Sequence, residues 1–248
     1  MSVFRFRRFS VSNDLSSMKV NTDGVLLGAA ATIDSADKSI LDAGTGTGTI
    51  ALMLAQRYCD LPSDQSGVAF CEERSITGID IDRPASEEAE ANFSASPWPG
   101  TLTAANVALN DFCPLGQIDL IVSNPPFFEG SLEAPDPRRS AARHTGGQRM
   151  SYRDLLQFAS RHLSASGRLS LILPAAEEYG LLRYGRMCSL FPFRMMHIRT
   201  TSEKPFSRII VEFSRIGRQS PCIEEELVIQ NNREYTTEYK TLTGAFYL

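Results

Sequence analysis

The sequence predicts an α/β protein in which a mostly parallel, seven-stranded sheet carries helices on both faces. Short apolar runs alternate with helical patterns over residues 39–215, and this alternation is typical of parallel sheets with crossover helices. A glycine-rich turn directly follows the first of these apolar runs and precedes the first helical pattern of the region. The length of 248 residues suits one large α/β domain with short additions at its ends.

Each predicted strand is a short apolar run, which is the pattern of a strand buried on both faces. The seven predicted strands span residues 39–43, 75–80, 101–105, 118–123, 167–174, 194–200 and 207–215. The four helices predicted among them span residues 49–58, 84–93, 152–163 and 177–190. The start of the second helix is the most clearly marked, because Pro84 stands at its first position and acidic residues follow.

The residues outside this core divide the chain into three parts. A basic and aromatic segment, residues 1–38, precedes the core at 39–215. Residues 216–248 form an extension that we expect to pack on the core, because it ends in aromatic residues. Residues 59–75 lack clear periodicity, so we expect them to form an inserted surface loop.

Composition excludes several classes of protein. Hydrophobic residues make up 42% of the chain and charged residues 22%, which is ordinary for a globular protein with a full core. No apolar run approaches the roughly 20 residues of a membrane-spanning helix, and the N-terminus lacks the apolar stretch of a secretory signal. The five cysteines are an odd number without a C-x-x-C pair, which argues against disulfides and zinc. We therefore expect a cytoplasmic protein without a metal or a membrane partner, and a monomer.

The glycine-rich turn "LDAGTGTGTIALMLA", residues 41–55, predicts a ligand site at the end of the first core strand. Gly44, Gly46 and Gly48 allow the backbone to turn sharply and to approach a ligand closely. Their spacing differs from the G-x-G-x-x-G of dinucleotide folds, and no G-x-x-x-x-G-K-[ST] loop occurs. An acid followed by G-x-G-x-G resembles the first motif of Rossmann-like class I S-adenosylmethionine-dependent methyltransferases. The resemblance implies that Asp42 and the three glycines hold the methionine end of S-adenosylmethionine.

The same resemblance implies where the rest of the cofactor lies. Asp80 ends the second core strand and would accept hydrogen bonds from both ribose hydroxyls. The adenine ring would lie near the end of the third strand, beside either Asn106 or Val107. The gap between the glycines and Asp80 is longer than the usual 20 or so residues, but an inserted surface loop costs little closure entropy.

The fourth core strand ends in "IDLIVSNPPFFEG", residues 118–130, where two prolines stop the strand. One interpretation is a strand terminator with two aromatic residues buried in the core. The other is a catalytic site, because Asn-Pro-Pro followed by an aromatic residue resembles the catalytic motif of methyltransferases that act on planar amino groups. The residues that this resemblance implies as catalytic are Asn124, Pro125, Pro126 and Phe127, and Asn124 would also contact the cofactor.

Elementary chemistry supports the catalytic interpretation. An amino group conjugated to a ring is a poor nucleophile because its lone pair is delocalised. Hydrogen bonds from its N–H groups to the Asn124 side-chain oxygen and the Pro125 carbonyl favour a tetrahedral nitrogen, which stabilises the transition state. Stacking of Phe127 on the base would contribute about 1–3 kcal/mol. No general base is required, because the methylated nitrogen is acidic and loses its proton to solvent.

Four short blocks resemble a narrower family, the tRNA adenine-N6 methyltransferases that modify the adenine beside the anticodon of a valine tRNA. The blocks are "KVNTDGVLLG" (19–28), "LMLAQR" (52–57), "SNPPFF" (123–128) and "ARH" (142–144). The resemblance implies a tRNA partner, with Thr22 and Asp23 capping the cofactor pocket. It also implies that Arg139, Arg143 and His144 meet RNA phosphates or the extruded base.

The chain departs from that family at two places. Phe127 stands where many members have tyrosine, so the stacking face is kept but a hydroxyl is lost. The insertion at 59–75 is the second departure.

The charge distribution bears on the tRNA expectation more than the net charge of −4 does. Arginines cluster in "FRFRR" (4–8) and again within residues 138–153. We expect these two clusters to follow the RNA backbone on either side of the target base. An anticodon-loop base is already partly unstacked, so extruding it costs little.

Other functions remain as alternatives. Release-factor methyltransferases, which modify a glutamine N5, share an N-P-P-Y motif but usually carry a longer helical domain before the glycine loop. N6-methylation of an adenine in another RNA uses the same chemistry. A nicotinamide oxidoreductase is disfavoured by the glycine spacing. A non-catalytic RNA-binding module is disfavoured by the intact set of Asp42, Asp80 and the Asn-Pro-Pro-Phe motif.

Overall fold

The computed structural model describes residues 2–16, 18–61, 74–126, 150–216 and 221–247. Its strands are β1 (Val3–Arg5), β2 (Ser10–Ser12), β3 (Ser39–Ala43), β4 (Ser75–Asp80), β5 (Leu102–Asn106), β6 (Ile118–Ser123), β7 (Leu163–Pro174), β8 (Phe191–Arg199), β9 (Arg208–Ser214), β10 (Ile223–Val228), β11 (Gln230–Asn231) and β12 (Glu234–Tyr235). Its α-helices are α1 (Thr22–Ala30), α2 (Thr49–Cys59), α3 (Arg83–Ser94), α4 (Tyr152–His162), α5 (Glu178–Met187) and α6 (Thr237–Thr243). Within these ranges, no helix combines the length and the apolar character needed to cross a membrane.

A central sheet organises the molecule. Over the described residues it has eight strands in the order β5-β4-β3-β6-β7-β9-β8-β10. Its neighbouring strands are parallel except at β9, which runs antiparallel to both β7 and β8. The predicted α/β class with a mostly parallel sheet is therefore confirmed.

The predicted number of seven strands is one too few. The eighth strand, β10, comes from the segment after residue 215 and pairs in parallel with β8 at the edge of the sheet. Half of its sequence "IEEELV" is acidic, and Leu227 is its one buried residue. An edge strand can carry charges without losing its hydrogen bonds to the neighbouring strand, so apolar periodicity does not reveal it.

The strands read as continuous apolar runs because both faces of the sheet are covered. Ile40 and Leu41 are neighbours on β3, yet Ile40 joins one hydrophobic core and Leu41 joins the other. The first core is shared with α1 and α2, and the second with α4 and α5. Side chains that alternate between two buried faces produce this pattern.

The parallel strands β3, β4, β5 and β6 end at one edge of the sheet, which we call the carboxyl edge. The register places Asp42 beside Gly78 and Val122, and Asp80 beside Asn106. The chain proceeds outward from β3 to β5 on one side and from β6 onward on the other side. The crevice between β3 and β6 is therefore a topological switch point, where α/β proteins bind ligands.

Helix α1 was not among the predicted helices, since its residues from Gly24 to Ala30 are all buried and show no polar face. Asn21 caps it, because the Asn21 Oδ1 atom accepts a hydrogen bond from the Gly24 backbone N–H at 2.8 Å. Gly28 brings α1 close to α2: a Cβ at this position would lie 2.8 Å from the Met53 sulfur. This close packing holds α1 against α2, the helix that follows the glycine-rich turn.

Candidate active site

The glycine-rich turn between β3 and α2 has the backbone conformation that its glycines predict. Gly44, Gly46 and Gly48 have φ angles of +73°, +56° and +80°, a region that side chains with a Cβ rarely adopt. The Gly44 and Thr45 backbone N–H groups donate to the Ile79 carbonyl at 2.8 and 2.9 Å. The turn is thereby fastened to the end of β4, with Gly44 and Gly46 on the wall of a cavity.

That cavity lies at the carboxyl edge and has a volume of about 570 Å³, within the range of small-molecule sites. Its lining residues are Ser16, Met18, Gly44, Gly46, Ile79, Asp80, Ile81, Asp82, Ala85, Val107, Ala108, Leu109, Asn124, Pro126 and Met150. A smaller adjoining cavity of about 30 Å³ shares Met18, the glycine turn and Asn124, and is also lined by Lys19, Val20 and Asn21.

Asp80 lies on the cavity wall with its carboxylate held in place by two backbone donors. The Oδ2 atom accepts from the Gly46 N–H at 3.0 Å, and the Oδ1 atom accepts from the Asp82 N–H at 2.9 Å. Burial raises the pKa of Asp80 above its usual 3.8, although these N–H donors oppose the rise. A carboxylate oriented in this way can accept hydrogen bonds from ligand hydroxyls.

Asp42 lies beneath the glycine turn rather than on the cavity wall. Its side chain is fully buried, and its Oδ2 atom accepts from the Thr45 hydroxyl at 2.7 Å and from the Ala51 N–H at 3.2 Å. Burial raises the pKa of Asp42 to about 7. Asp42 therefore braces the turn and the first turn of α2 from behind.

At the end of β5 the structure distinguishes the two residues that the sequence left open. Val107 lines the cavity together with Ala108 and Leu109. Asn106 does not line the cavity, and its Nδ2 atom donates to the Asp80 and Ile81 carbonyls at 2.9 and 3.0 Å. Asn106 thus secures the backbone that carries Asp80, and Val107 provides the apolar surface.

Asn124 follows β6 and lines both cavities. The end of β6 is tied to β3, because the Ser123 hydroxyl donates to the Ala43 carbonyl at 2.6 Å. Asn124 is 7% exposed, and its Nδ2 atom lies 3.5 Å from the Oδ1 atom of Asn21. Its Oδ1 atom is buried and has no hydrogen-bond partner among the described residues. A buried amide oxygen left without a donor costs about 1–3 kcal/mol, so this atom is suited to accept an N–H from a ligand.

Thr22 and Asp23 line neither cavity. Asp23 forms an ion pair with Arg208 of β9, with its Oδ2 atom 2.7 Å from the Arg208 Nε. The residues just before α1 take the position at the cavity that the sequence assigned to Thr22 and Asp23. The residues of this segment that line the smaller cavity are Met18, Lys19, Val20 and Asn21.

Several predicted site residues lie outside the described part of the chain: Phe127, Arg139, Arg143 and His144. Pro125 is described but does not line a cavity, whereas Pro126 does. Residues 62–73, which make up most of the predicted insertion, also lie outside the described ranges.

The N-terminal arginines do not border the cavity. Arg8 forms an ion pair with Asp60, which follows the end of α2, and its guanidinium lies 5.5 Å from the centre of the Trp98 ring. Arg7 donates to the Tyr247 carbonyl. Helix α2 begins at the glycine turn and runs away from it for 11 residues, about 16 Å at the usual helical rise. The expectation that the arginine cluster at 4–8 follows the RNA backbone stays a prediction.

The segment before α1 is the part of the site that sequence reasoning missed. Ser16 and Met18 line the main cavity, and so does Met150, which is distant from them in sequence. The Glu88 carboxylate on α3 accepts the N–H groups of Asp14, Leu15 and Ser16 at 2.7–3.0 Å. No local motif signals these roles, since they depend on a contact across more than 70 residues.

The residues around the main cavity fit S-adenosylmethionine. A Cβ at Gly44 would lie 2.9 Å from the Met150 methyl group, so glycine there keeps the turn open beside the cavity. The carboxylate of Asp80 and the apolar wall of Val107, Ala108 and Leu109 offer partners for a ribose and an adenine ring. The fold and this cavity define a class I S-adenosylmethionine-dependent methyltransferase.

Comparison with known proteins agrees with this class and narrows it. The model of the methyltransferase small domain family matches residues 23–182. A predicted O-methyltransferase from Agrobacterium tumefaciens shares the fold, with a TM-score of 0.63 at 16% identity over 90% of this chain and 96% of that one.

Two curated relatives are similar over essentially their whole length. The tRNA1(Val) (adenine(37)-N6)-methyltransferase of Flavobacterium johnsoniae is 38% identical over 99% of both chains. The tRNA1(Val) (adenine(37)-N6)-methyltransferase of Flavobacterium psychrophilum is 37% identical over 99% of both chains. The chain therefore belongs to the tRNA1(Val) (adenine(37)-N6)-methyltransferase family.

Proposed function

We propose that this protein methylates the N6 amino group of adenine 37 in a valine tRNA, beside the anticodon, with S-adenosylmethionine as the methyl donor. The relatives that carry this activity in their names match 99% of the chain. The observation that carries the proposal is the Oδ1 atom of Asn124, which is buried without a hydrogen-bond partner among the described residues, on a residue that lines both cavities.

The cofactor would be held at the carboxyl edge by the residues that line the main cavity. Asp80 would accept hydrogen bonds from the ribose hydroxyls, and Gly44 and Gly46 would let the backbone approach the methionine end. Val107 and its neighbours would pack against the adenine ring. When bound, S-adenosylmethionine supplies an electrophilic methyl group.

Asn124 and Pro125 would bind and orient the target amine. The Asn124 Oδ1 atom and the Pro125 carbonyl would each accept one N–H of the exocyclic amino group. These two acceptors favour a tetrahedral nitrogen whose lone pair is no longer delocalised into the ring, and this stabilisation grows toward the transition state. Holding the nitrogen in place also removes the entropic cost of alignment.

Proton removal needs no dedicated side chain in this proposal. Neither cavity is lined by a histidine among the residues described. Asp42 is fully buried behind the glycine turn and does not line either cavity. The methylated nitrogen is acidic enough to lose its proton to water.

Binding of the RNA rests on sequence evidence. Phe127 would stack on the extruded adenine. Arg139, Arg143 and His144 would contact phosphates or the base. A tRNA substrate would place the protein in the cytoplasm.

The test is a methylation assay on a defined RNA. Purified protein, S-adenosylmethionine and a valine tRNA transcript are expected to yield N6-methyladenosine by mass spectrometry of digested nucleosides. The same transcript with guanine at position 37 is the control and should remain unmodified. Release factor incubated under the same conditions tests the glutamine alternative, and methyl transfer to that protein instead of the tRNA would overturn the proposal.

Replacement of Asn124 separates chemistry from cofactor binding. Asn124→Ala is expected to abolish N6-methyladenosine formation while S-adenosylmethionine still binds. Methylation by Asn124→Ala at the wild-type rate would show that the amide oxygen has no catalytic role.

A further inference from the structure

We infer that Asn21 is a positioning residue that holds the Asn124 amide with its oxygen turned toward the target amine. The inference rests on the proposed function, because it assigns to Asn124 Oδ1 the acceptor role given above. It goes beyond that function by naming the residue, over 100 positions earlier in the chain, that sets which end of the Asn124 amide faces the substrate.

The orientation of the Asn21 side chain follows from its backbone partners. Its Oδ1 atom accepts the Gly24 N–H at 2.8 Å, and its Nδ2 atom donates to the Lys19 carbonyl at 3.1 Å. A backbone N–H can only donate and a carbonyl can only accept, so the two ends of this amide cannot be exchanged. The atom that Asn21 presents to Asn124 is therefore an oxygen.

An oxygen at this place determines the orientation of Asn124 in turn. The nearest atom of the Asn124 amide lies 3.5 Å from Asn21 Oδ1 and must be a donor, which identifies it as Nδ2. The reversed amide would bring two oxygen lone pairs together. A separation of 3.5 Å is at the outer limit of hydrogen bonding, so the contact selects an orientation and adds little to stability.

The selected orientation is the one that catalysis needs. The Asn124 Oδ1 atom is then the end without a partner among the described residues, and Asn124 lines the main cavity. In the reversed orientation an NH2 group would face the amino group of the adenine, donor against donor. Such a mismatch of buried polar groups is strongly disfavoured.

Two substitutions at position 21 separate this role from helix capping. Serine and aspartate cap helices about as well as asparagine does, so both variants should keep α1 intact. The serine hydroxyl is one carbon shorter and cannot reach Gly24 and Asn124 together, whereas aspartate keeps the acceptor oxygen. We therefore expect Asn21→Ser to lower kcat at saturating S-adenosylmethionine and tRNA by about tenfold, with an unchanged Tm and an unchanged cofactor Kd. Asn21→Asp should recover most of the wild-type kcat.

The experiment includes wild type and Asn124→Ala so that two kinds of failure can be told apart. If wild type forms no N6-methyladenosine in the tRNA, the proposed function fails and this inference fails with it. If Asn124→Ala is inactive and Asn21→Ser turns over at the wild-type rate, the function stands and the positioning role is overturned. The positioning role would also be overturned if Asn21→Ser and Asn21→Asp lost kcat to the same extent and both had a lowered Tm. That result would show that Asn21 has a structural role alone.

Discussion

The carboxylate of Glu88 on α3 accepts the backbone N–H of Ser16 at 2.8 Å. It also accepts the N–H groups of Asp14 and Leu15 at 2.7 and 3.0 Å, so three consecutive donors converge on one side chain. Ser16 and Met18 belong to the wall of the main cavity. Helix α3 therefore holds in place a segment that lines the main cavity.

Glu88→Gln should weaken cofactor binding without touching the cofactor. The amide offers one acceptor oxygen instead of two and no charge, so at least one of the converging N–H groups loses its partner. We expect a loss of about 1–3 kcal/mol in unfolding free energy and a several-fold rise in the Kd for S-adenosylmethionine, measured by calorimetry. Glu87→Gln is the matched control, because Glu87 is exposed and pairs with Arg83 one turn away.

The pH dependence of the Glu88 contact has a definite sign. Burial favours a higher pKa for Glu88, but the backbone donors outweigh it and hold the pKa below its usual 4.5. A lowered folded pKa gives stability that is present above pH 4.5 and is lost as the pH falls through the folded value. Acid titration of Tm should therefore show a smaller decline below pH 4.5 for Glu88→Gln than for wild type. Parallel curves would show that the carboxylate is not the titrating group.

Asp42 should produce the opposite pH dependence. Its pKa is raised from 3.8 to about 7 by burial, so the folded protein holds this proton more tightly than the unfolded chain does. Stability from Asp42 is complete below pH 3.8 and is lost as the pH rises through about 7. Asp42→Asn keeps an acceptor for Thr45 and Ala51 but cannot ionise. Across this window the unfolding free energy of the wild type should decline by an amount on the order of a few kcal/mol, and that of Asp42→Asn should not. Urea unfolding at several pH values measures the difference.

Gly48→Ala tests the geometry of the glycine turn. The residue has a φ of +80°, and an added Cβ would lie 2.4 Å from the Cε1 atom of the fully buried Phe93. The left-handed backbone alone costs about 1–2 kcal/mol, and the clash adds to it. Gly100→Ala is the control, since no described atom beyond its chain neighbours lies within 4 Å of the added Cβ there. Equal unfolding free energies for the two variants would contradict the described turn.

Much of the fold is encoded locally and could be predicted from the sequence. The strand at 39–43 was predicted with its exact bounds because Ile40 and Leu41 bury opposite faces of the sheet and the glycine-rich turn begins directly after Ala43. Helix α1 was not predicted, because it is buried on all sides and therefore lacks the polar face that marks an amphipathic helix. Strand β10 was not predicted, because it lies at the edge of the sheet and carries acidic residues in place of an apolar run.

The residues of the candidate site that could be predicted are those at the ends of core strands. Asp80 ends one buried strand and Asn124 directly follows another. Parallel strands bring their carboxyl ends together, so both residues were expected at one cavity, and both line it. Asn21 and Ser16 were not predicted, because their placement depends on α1 and on Glu88, which are distant in sequence from the motifs. Asn106 was ambiguous because an asparagine after a strand can bind a ligand or hold a turn, and only the backbone partners distinguish the two.

Asp80→Asn should affect cofactor affinity far more than turnover. The Asp80 carboxylate lines the cavity and accepts the Gly46 N–H at 3.0 Å, so it links the glycine turn to the position expected for the ribose. Hydrogen bonds to a charged acceptor contribute about 1.5–3 kcal/mol, and loss of that charge should raise the Kd for S-adenosylmethionine by roughly 10- to 100-fold. Turnover at saturating cofactor should change little, because Asp80 is not assigned to the target amine.

Asp111→Asn, at an exposed position outside the cavity, is the control for a change of net charge. Because burial raises the pKa of Asp80 above 3.8, wild-type affinity should begin to fall at a higher pH than an exposed aspartate would allow. A Kd for Asp80→Asn equal to that of wild type would remove Asp80 from the cofactor site.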